Sequence, residues 1–324
     1  MNLNHVPLLL CVVGFLSACE FVAVQMAPAR TAAPNAAAEE TSRRMLMDAL
    51  ANGSYNTLPA LLDTLTRLAL DNPRNPGVHL MLGMTHLWAV AEGDRVPNAG
   101  PTLTNHIILS RHYLESAGAL DPTEARVQGW SASMGLASAS LVKDEAATRR
   151  AHFQLMRGVK AWPEFNQFTR SYTSSRLPWD HPRFQEDVVM PMFESMELCF
   201  GVRMDAAAPD WEAARKGMAA FVADPHAGDG ARSVCVSSDK VPGNLEGFFT
   251  HFGDVLTKAG RPTDALAAYG LARLSPHHGS WAFRDALQDR VDHVQERVAL
   301  LQAAQRAEGM LVTSRMACVV CHQR

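Results

Sequence analysis

From about residue 41 onward, apolar residues recur every three to four positions, and no sustained alternating run of strand period interrupts them. Gly/Pro punctuation, as at Gly93 to Pro101 and Gly260-Arg261-Pro262, falls between these stretches. The pattern predicts helices over about 41–52, 55–71, 77–92, 103–120, 123–141, 144–160, 184–197, 209–223, 245–259, 263–274 and 280–308. Long loops are expected at 163–183 and 224–244. The expected fold class is therefore all-α.

Within that helical pattern the chain repeats itself. Phe249, Phe252, Gly253 and Leu256 mark one helix; Ala265, Tyr269 and Ala272 mark the next, and Pro276 closes the unit. Gly260-Arg261-Pro262 supplies the turn, and Gly253 lets the second helix approach closely. The spacing returns in His79-x-x-Leu82-Gly83-x-x-His86, and more weakly in Ser131-x-x-Met134-Gly135-x-x-Ser138. Over roughly half its length the chain resembles the tetratricopeptide-repeat superfamily. That resemblance implies stacked helical hairpins whose concave face docks a partner protein.

The first residues have a different character. Val6 to Phe15 is apolar, too short to span a membrane and of the length of a secretory h-region. Leu16-Ser17-Ala18-Cys19 then resembles the bacterial lipobox. The resemblance implies cleavage after residue 18 and lipidation of Cys19. Glu20, rather than Asp, points to the outer membrane. Residues 19–40, Ala-rich with Pro28 and Pro34, read as a flexible tether. The expected organisation is a signal peptide over 1–18, the tether over 19–40, a helical repeat domain over 41–279 and C-terminal helices over 280–324. An exported, lipid-anchored protein facing the periplasm follows. A formal net charge of −3 gives no reason to expect nucleic acid.

Export changes how the six cysteines are read. Cys11 leaves with the signal and Cys19 takes lipid. Cys199 and Cys235 remain as a pair, for which an oxidising compartment makes a disulfide the expectation. Cys318-Val319-Val320-Cys321-His322 is the attachment signature of c-type haem. At i, i+3 and i+4 the two thiols and the imidazole project from one side of a helical turn, as addition to one porphyrin edge and ligation of its iron require. Neither a second Cys-x-x-Cys for zinc nor a βαβ context for a thiol redox pair accompanies the motif.

Lying near the C-terminus and followed by a basic residue, the motif is similar to that of the cytochrome c′ group. That likeness implies an open distal face, but the long repeat-like region departs from the group. Candidates for a distal ligand are His251, His277, His278, His293 and Met310. His79 and His86 share a helix face and read as packing residues. With two residues after His322, the haem is expected to dock on the helical body or stay partly open to a partner.

The expected protein is a mono-haem c-type cytochrome, with one covalent haem c, that carries electrons to or from a redox partner protein. Its architecture would be tetratricopeptide-like, with a C-terminal haem-bearing helix. Two alternatives are a gas-binding or peroxide-reactive five-coordinate haem protein and a non-redox repeat scaffold. Among other catalytic signatures, the chain has no Gly-rich phosphate loop, no Gly-x-Ser-x-Gly and no His-Glu-x-x-His.

Overall fold

The computed structural model describes residues 31–92, 103–238, 243–303, 310–311 and 318–323. Among these, fourteen α-helices occur and no strand. In chain order they are α1 (Ala36–Ala51), α2 (Leu58–Asp71), α3 (Pro76–Ala91), α4 (Leu103–Leu120), α5 (Ala125–Val142), α6 (Glu145–Ala161) and α7 (Pro163–Ser174). A π-helical turn at Gln185–Val189 leads into α8 (Met190–Phe200). Then come α9 (Trp211–Ala223), α10 (Leu245–Lys258), α11 (Pro262–Ala272), α12 (Arg284–Asp292), α13 (Val294–Ala303) and the single turn α14 (Val319–His322). The signal, the lipobox with Cys19 and the start of the tether lie outside the described residues.

Local chemistry sets most helix starts. Asn35, Asn75, Asp144, Asp210 and Asn244 each accept a hydrogen bond from a backbone N–H in the first turn of the helix that follows. Pro76, Pro163 and Pro262 stand at the first helical position, where no N–H is missed.

The heaviest packing joins helices adjacent in the chain: α3 on α4, α5 on α6 and α10 on α11. Each pair closes over a glycine. A Cβ on Gly83 would stand 2.8 Å from Leu114 Cγ, and one on Gly135 would stand 3.0 Å from Ala151 Cβ. At Gly253 it would collide with the Tyr269 ring.

Three differences from the sequence pattern matter. Residues 163–174 are helical rather than loop, because Phe165, Phe168 and Tyr172 form an apolar stripe under a polar surface and Pro163 starts the turn. The first helix starts at Ala36, inside the expected tether, because Asn35 caps it. The helix expected over 280–308 is two helices broken at His293, whose ring and backbone N–H both address the Asp289 carbonyl. Residues 304–309 lie outside the described residues.

The apolar interior forms two clusters. One is built on α1 to α5 and includes Leu46, Leu65, Leu82, Trp88 and Leu114. The other runs from Phe184 onward through α8 to α13 and includes Phe193, Phe249, Phe252, Tyr269 and Leu301. In the second, Asp254 is wholly buried and collects the remaining chain around it. It accepts from Arg290 Nε at 2.9 Å and Nη2 at 3.2 Å, from Tyr269 Oη at 2.8 Å and from the Leu311 N–H at 2.8 Å.

A disulfide joins Cys199 at the end of α8 to Cys235, with Cα atoms 5.6 Å apart. It pins the segment after α9 to the second cluster and closes a loop of 36 residues, for which chain entropy gives about 4 kcal/mol. Changing both cysteines to serine should therefore lower the free energy of unfolding by about 2–5 kcal/mol. Chemical denaturation tests this; a midpoint insensitive to the substitution and to reductant would show that the segment is held by packing alone.

Candidate functional site

The Cys318–His322 turn is gripped from three sides. On one side the Cys318 N–H donates to Oε1 of Glu92, the buried residue that ends α3, at 3.1 Å. On the second, Asn244 at the start of α10 donates its N–H to the Cys321 carbonyl at 2.8 Å and its Nδ2 to the Val320 carbonyl at 2.9 Å. The same Asn244 caps α10 by accepting from the Gly247 N–H at 2.7 Å. Trp281 Nε1 also donates to the Val320 carbonyl, at 3.1 Å. On the third side the Gln323 side chain lies against Gly53, just past the end of α1.

Val319 and Val320 are fully buried, so the residues between the cysteines act as the wedge that seats the turn. Gly247 makes room for it: a Cβ there would lie 2.6 Å from Cys321 Sγ. Cys318 packs against the first apolar cluster and Cys321 against the second.

Cys318, Cys321 and His322 form part of the wall of a cavity of about 190 Å³. Helices α1 and α3 contribute Leu46, Met47, Met81, Met84 and Trp88. Trp130, Phe165, Phe168, Phe200 and Phe248 close much of the remainder, together with the Cys199–Cys235 disulfide. Polar lining groups are few and include Arg126, Glu164 and Asn244. Mostly apolar, aromatic walls with a few polar groups are what a planar aromatic cofactor needs.

The two motif thiols are free and half-buried. Desolvation pushes the Cys321 thiol up to about 12, with the Glu246 charge adding to it. Cys318 is raised well above its ordinary value by the same desolvation, then by Glu92 and by Cys321. Both are neutral thiols at neutral pH, unlike the thiolates of a disulfide oxidoreductase or a nucleophilic cysteine. Among the described residues, no group of three or more His, Cys, Asp or Glu side chains is placed to hold a metal ion. A haem brings four ring nitrogens of its own and asks the chain for an axial imidazole, two thiols and a dry slot. The arrangement around His322 fits those demands.

The histidines singled out in the sequence lie elsewhere. His251 is fully buried on α10, with ring centroids 5.4 Å from both Phe168 and Tyr172, and neither ring nitrogen has a hydrogen-bond partner. Burial, opposed only by Asp254, lowers its pKa to about 4, so the ring is neutral. Phe168 and Phe248 stand on the cavity wall and His251 does not. His277 is exposed, and His278 leans on Trp281 behind the motif. His293 is exposed and pairs with Asp289 at 3.0 Å. Met310 is buried in the second cluster, away from the cavity lining. His79 and His86 are core residues; His86 stacks on Tyr113 and meets His106 through the two Nδ1 atoms at 3.0 Å.

Sequence reasoning missed Glu92, Asn244 and Gly247, and the methionines of α1 and α3. Asn244-x-x-Gly247 was legible as a cap, but not as a seat for residues some 75 positions later. Met81, Met84 and Trp88 form a stripe that ordinary core packing also produces. No helix among the described residues is long and apolar enough to cross a membrane. No family model matches the chain, and neither does any curated protein or any solved structure.

Proposed function

We propose that this chain is a mono-haem c-type cytochrome, anchored by lipid at Cys19 to the periplasmic side of a membrane, expected to be the outer one. Its body would be a degenerate stack of tetratricopeptide-like hairpins, a reading supported by the glycine closures at 83, 135 and 253. The observation that carries the cytochrome reading is the placement of Cys318, Cys321 and His322 together on the wall of one mostly apolar cavity.

Cys318 and Cys321 would hold the porphyrin edge through thioethers, and His322 would hold the iron. Bound there, a haem would supply one-electron exchange at its iron. The chain's own part is to fix and shield. Glu92, Asn244 and Trp281 immobilise the turn that carries the ligand. The aromatic walls exclude water, so little solvent has to reorganise when charge changes. Neutral thiols at Cys318 and Cys321 keep their protons until they are consumed in attachment. The hairpin surface would be where a redox partner protein docks.

The test is a pyridine haemochrome assay on the full chain, purified from the membrane fraction of a host that attaches haem c. One haem per chain that resists acid-acetone extraction is expected. The H322A variant should lose the native spectrum or fail to accumulate as holoprotein. An extractable haem or none at all, or an unchanged H322A spectrum, would overturn the reading and leave a scaffold role for the repeats.

A further inference from the structure

Helix α6 carries a surface feature that the cavity does not use. Arg149, Phe153, Arg157 and Lys160 fall within about 80° of arc on its outer side and extend about 16 Å along it. All four are exposed, and exposed Arg150 flanks them. None of the five lines the cavity. The inner side of the helix, with Ala151, Leu155 and Gly158, is buried, and the helix packs on α5 and α7.

Two observations set this stripe apart from an ordinary solvated face. The first is charge. Residues 141–160 hold five Lys or Arg against two Asp or Glu, a net of +3 in a chain whose total is −3. Asp144 and Glu145 stand at the helix start, where they suit its dipole, and approach Arg150 and Arg149 only to 3.9 and 3.5 Å. Lys160 suits the dipole at the other end, but Arg157 has no such role. Neither has a carboxylate partner among the described residues. The second observation is apolar. Phe153 is 68 % exposed and Val142, at the turn into α6, 74 %; they are two of the three most exposed large apolar side chains described. A single exposed apolar residue is ordinary. A phenylalanine set between guanidinium groups one turn before and one turn after is the composition of an interface centre, where aromatic residues and arginine are enriched.

We infer that the outer face of α6 docks an acidic protein partner, which sets carboxylates against Arg149, Arg150, Arg157 and Lys160 and takes Phe153 into an apolar socket. Charge complementarity gives the sign of the occupant, and the helix gives its class. A helix that lies on an anionic lipid surface buries a broad apolar side in it. Helix α6 has turned that side toward the body and offers one aromatic ring outward. A partner protein supplies both a socket for one ring and carboxylates at fixed places around it. The inference locates the docking face proposed for the hairpins; only the partner's being a redox protein rests on the cytochrome reading.

The test uses the full chain held in phosphatidylcholine vesicles, with two short peptides of glutamate and aspartate, one carrying a central leucine and the other a central serine. Wild type should bind the leucine peptide more tightly than the serine peptide, and both less tightly as salt is raised. R157E/K160E should weaken binding of the leucine peptide about tenfold. F153S should bring it down to the affinity of the serine peptide, and F153W should retain it. R215E/K216E, the same charge change on exposed residues of α9, should leave both affinities unchanged. Equal binding of the two peptides by wild type, or an equal loss in R215E/K216E, would reduce the face to a diffuse field and overturn the inference. The difference emission between F153W and wild type should shift to the blue with the leucine peptide, and stay in place when phosphatidylglycerol replaces phosphatidylcholine. A shift with phosphatidylglycerol alone would mark a lipid-facing helix and equally overturn it. Haem content enters none of these readings, so this inference and the cytochrome reading fail separately.

Discussion

On the proposed cytochrome reading, the C318S/C321S double variant is expected to carry no covalent haem and to be less stable than wild type under native conditions. Serine is nearly isosteric with cysteine, so the turn itself should still dock through Glu92, Asn244 and Trp281. What would be lost, on that reading, is the occupant of the slot. Without it, the walls formed by Trp88, Trp130, Phe165, Phe168 and Phe248 face water or collapse inward, and both outcomes cost apolar contact. A covalently held group stays with the unfolded chain, so its stabilisation would come from the apolar contacts it makes in the slot on folding. Intact-mass measurement should show a drop of one haem relative to wild type, and thermal melting a lower midpoint. A double variant with wild-type mass or wild-type melting would contradict the proposal, because nothing would then link the thiols to the filling of the cavity.

The second large effect is expected at Asp254. Its carboxylate is fully buried and serves Arg290, Tyr269 and the Leu311 N–H at once. Removing it in D254A leaves the Arg290 guanidinium buried without its counter-charge, which costs about 3–5 kcal/mol. The acid behaviour has a definite sign. Burial alone would raise the carboxyl, but Arg290 and Arg297, with hydrogen bonds from Arg290 and Tyr269, outweigh it and hold it below its ordinary value. Above about pH 4, the ordinary range of an unfolded aspartate, its contribution is fully present. Below that the unfolded chain takes up a proton that the folded chain refuses, and stability falls as pH approaches the depressed folded value. Urea midpoints from pH 7 to pH 3 should decline in wild type and decline less steeply in D254N. Equal slopes would show that other carboxylates dominate acid unfolding.

How far the sequence carried this reading differs from element to element. Apolar period and Gly/Pro punctuation located most helices, whose starts at Asn75, Asp144 and Asp210 the structure shows to be capped locally. Helix α7 escaped notice because its Pro163 start and polar composition also suit a loop; only its partners reveal the purpose of Phe165 and Phe168. Gly253 was legible as a point of close approach, since the repeat spacing sets a large residue, Tyr269, against it. The Cys318–His322 turn was legible as a haem-attachment signature and opaque as geometry. Glu92 meets Cys318 across 226 residues, and no local pattern encodes such a meeting. The distal-ligand candidates, four histidines and Met310, were chosen by residue type, and none of them lines the cavity; the methionines of its wall come together only when α1 and α3 pack.

The two motif cysteines rest on different apolar clusters, Cys318 on that of α1 to α5 and Cys321 on that of α8 to α13. The turn that carries them already bridges the two clusters, and so does helix α7, which packs on α5, α6 and α8. On the proposed reading, a rigid group held by that turn and filling the cavity would add apolar contacts to both sides at once. With the porphyrin edge in place the two sides should lose structure in a sharper transition. A chain lacking it should melt over a wider range, so calorimetric cooperativity would report loaded molecules alongside a spectrum.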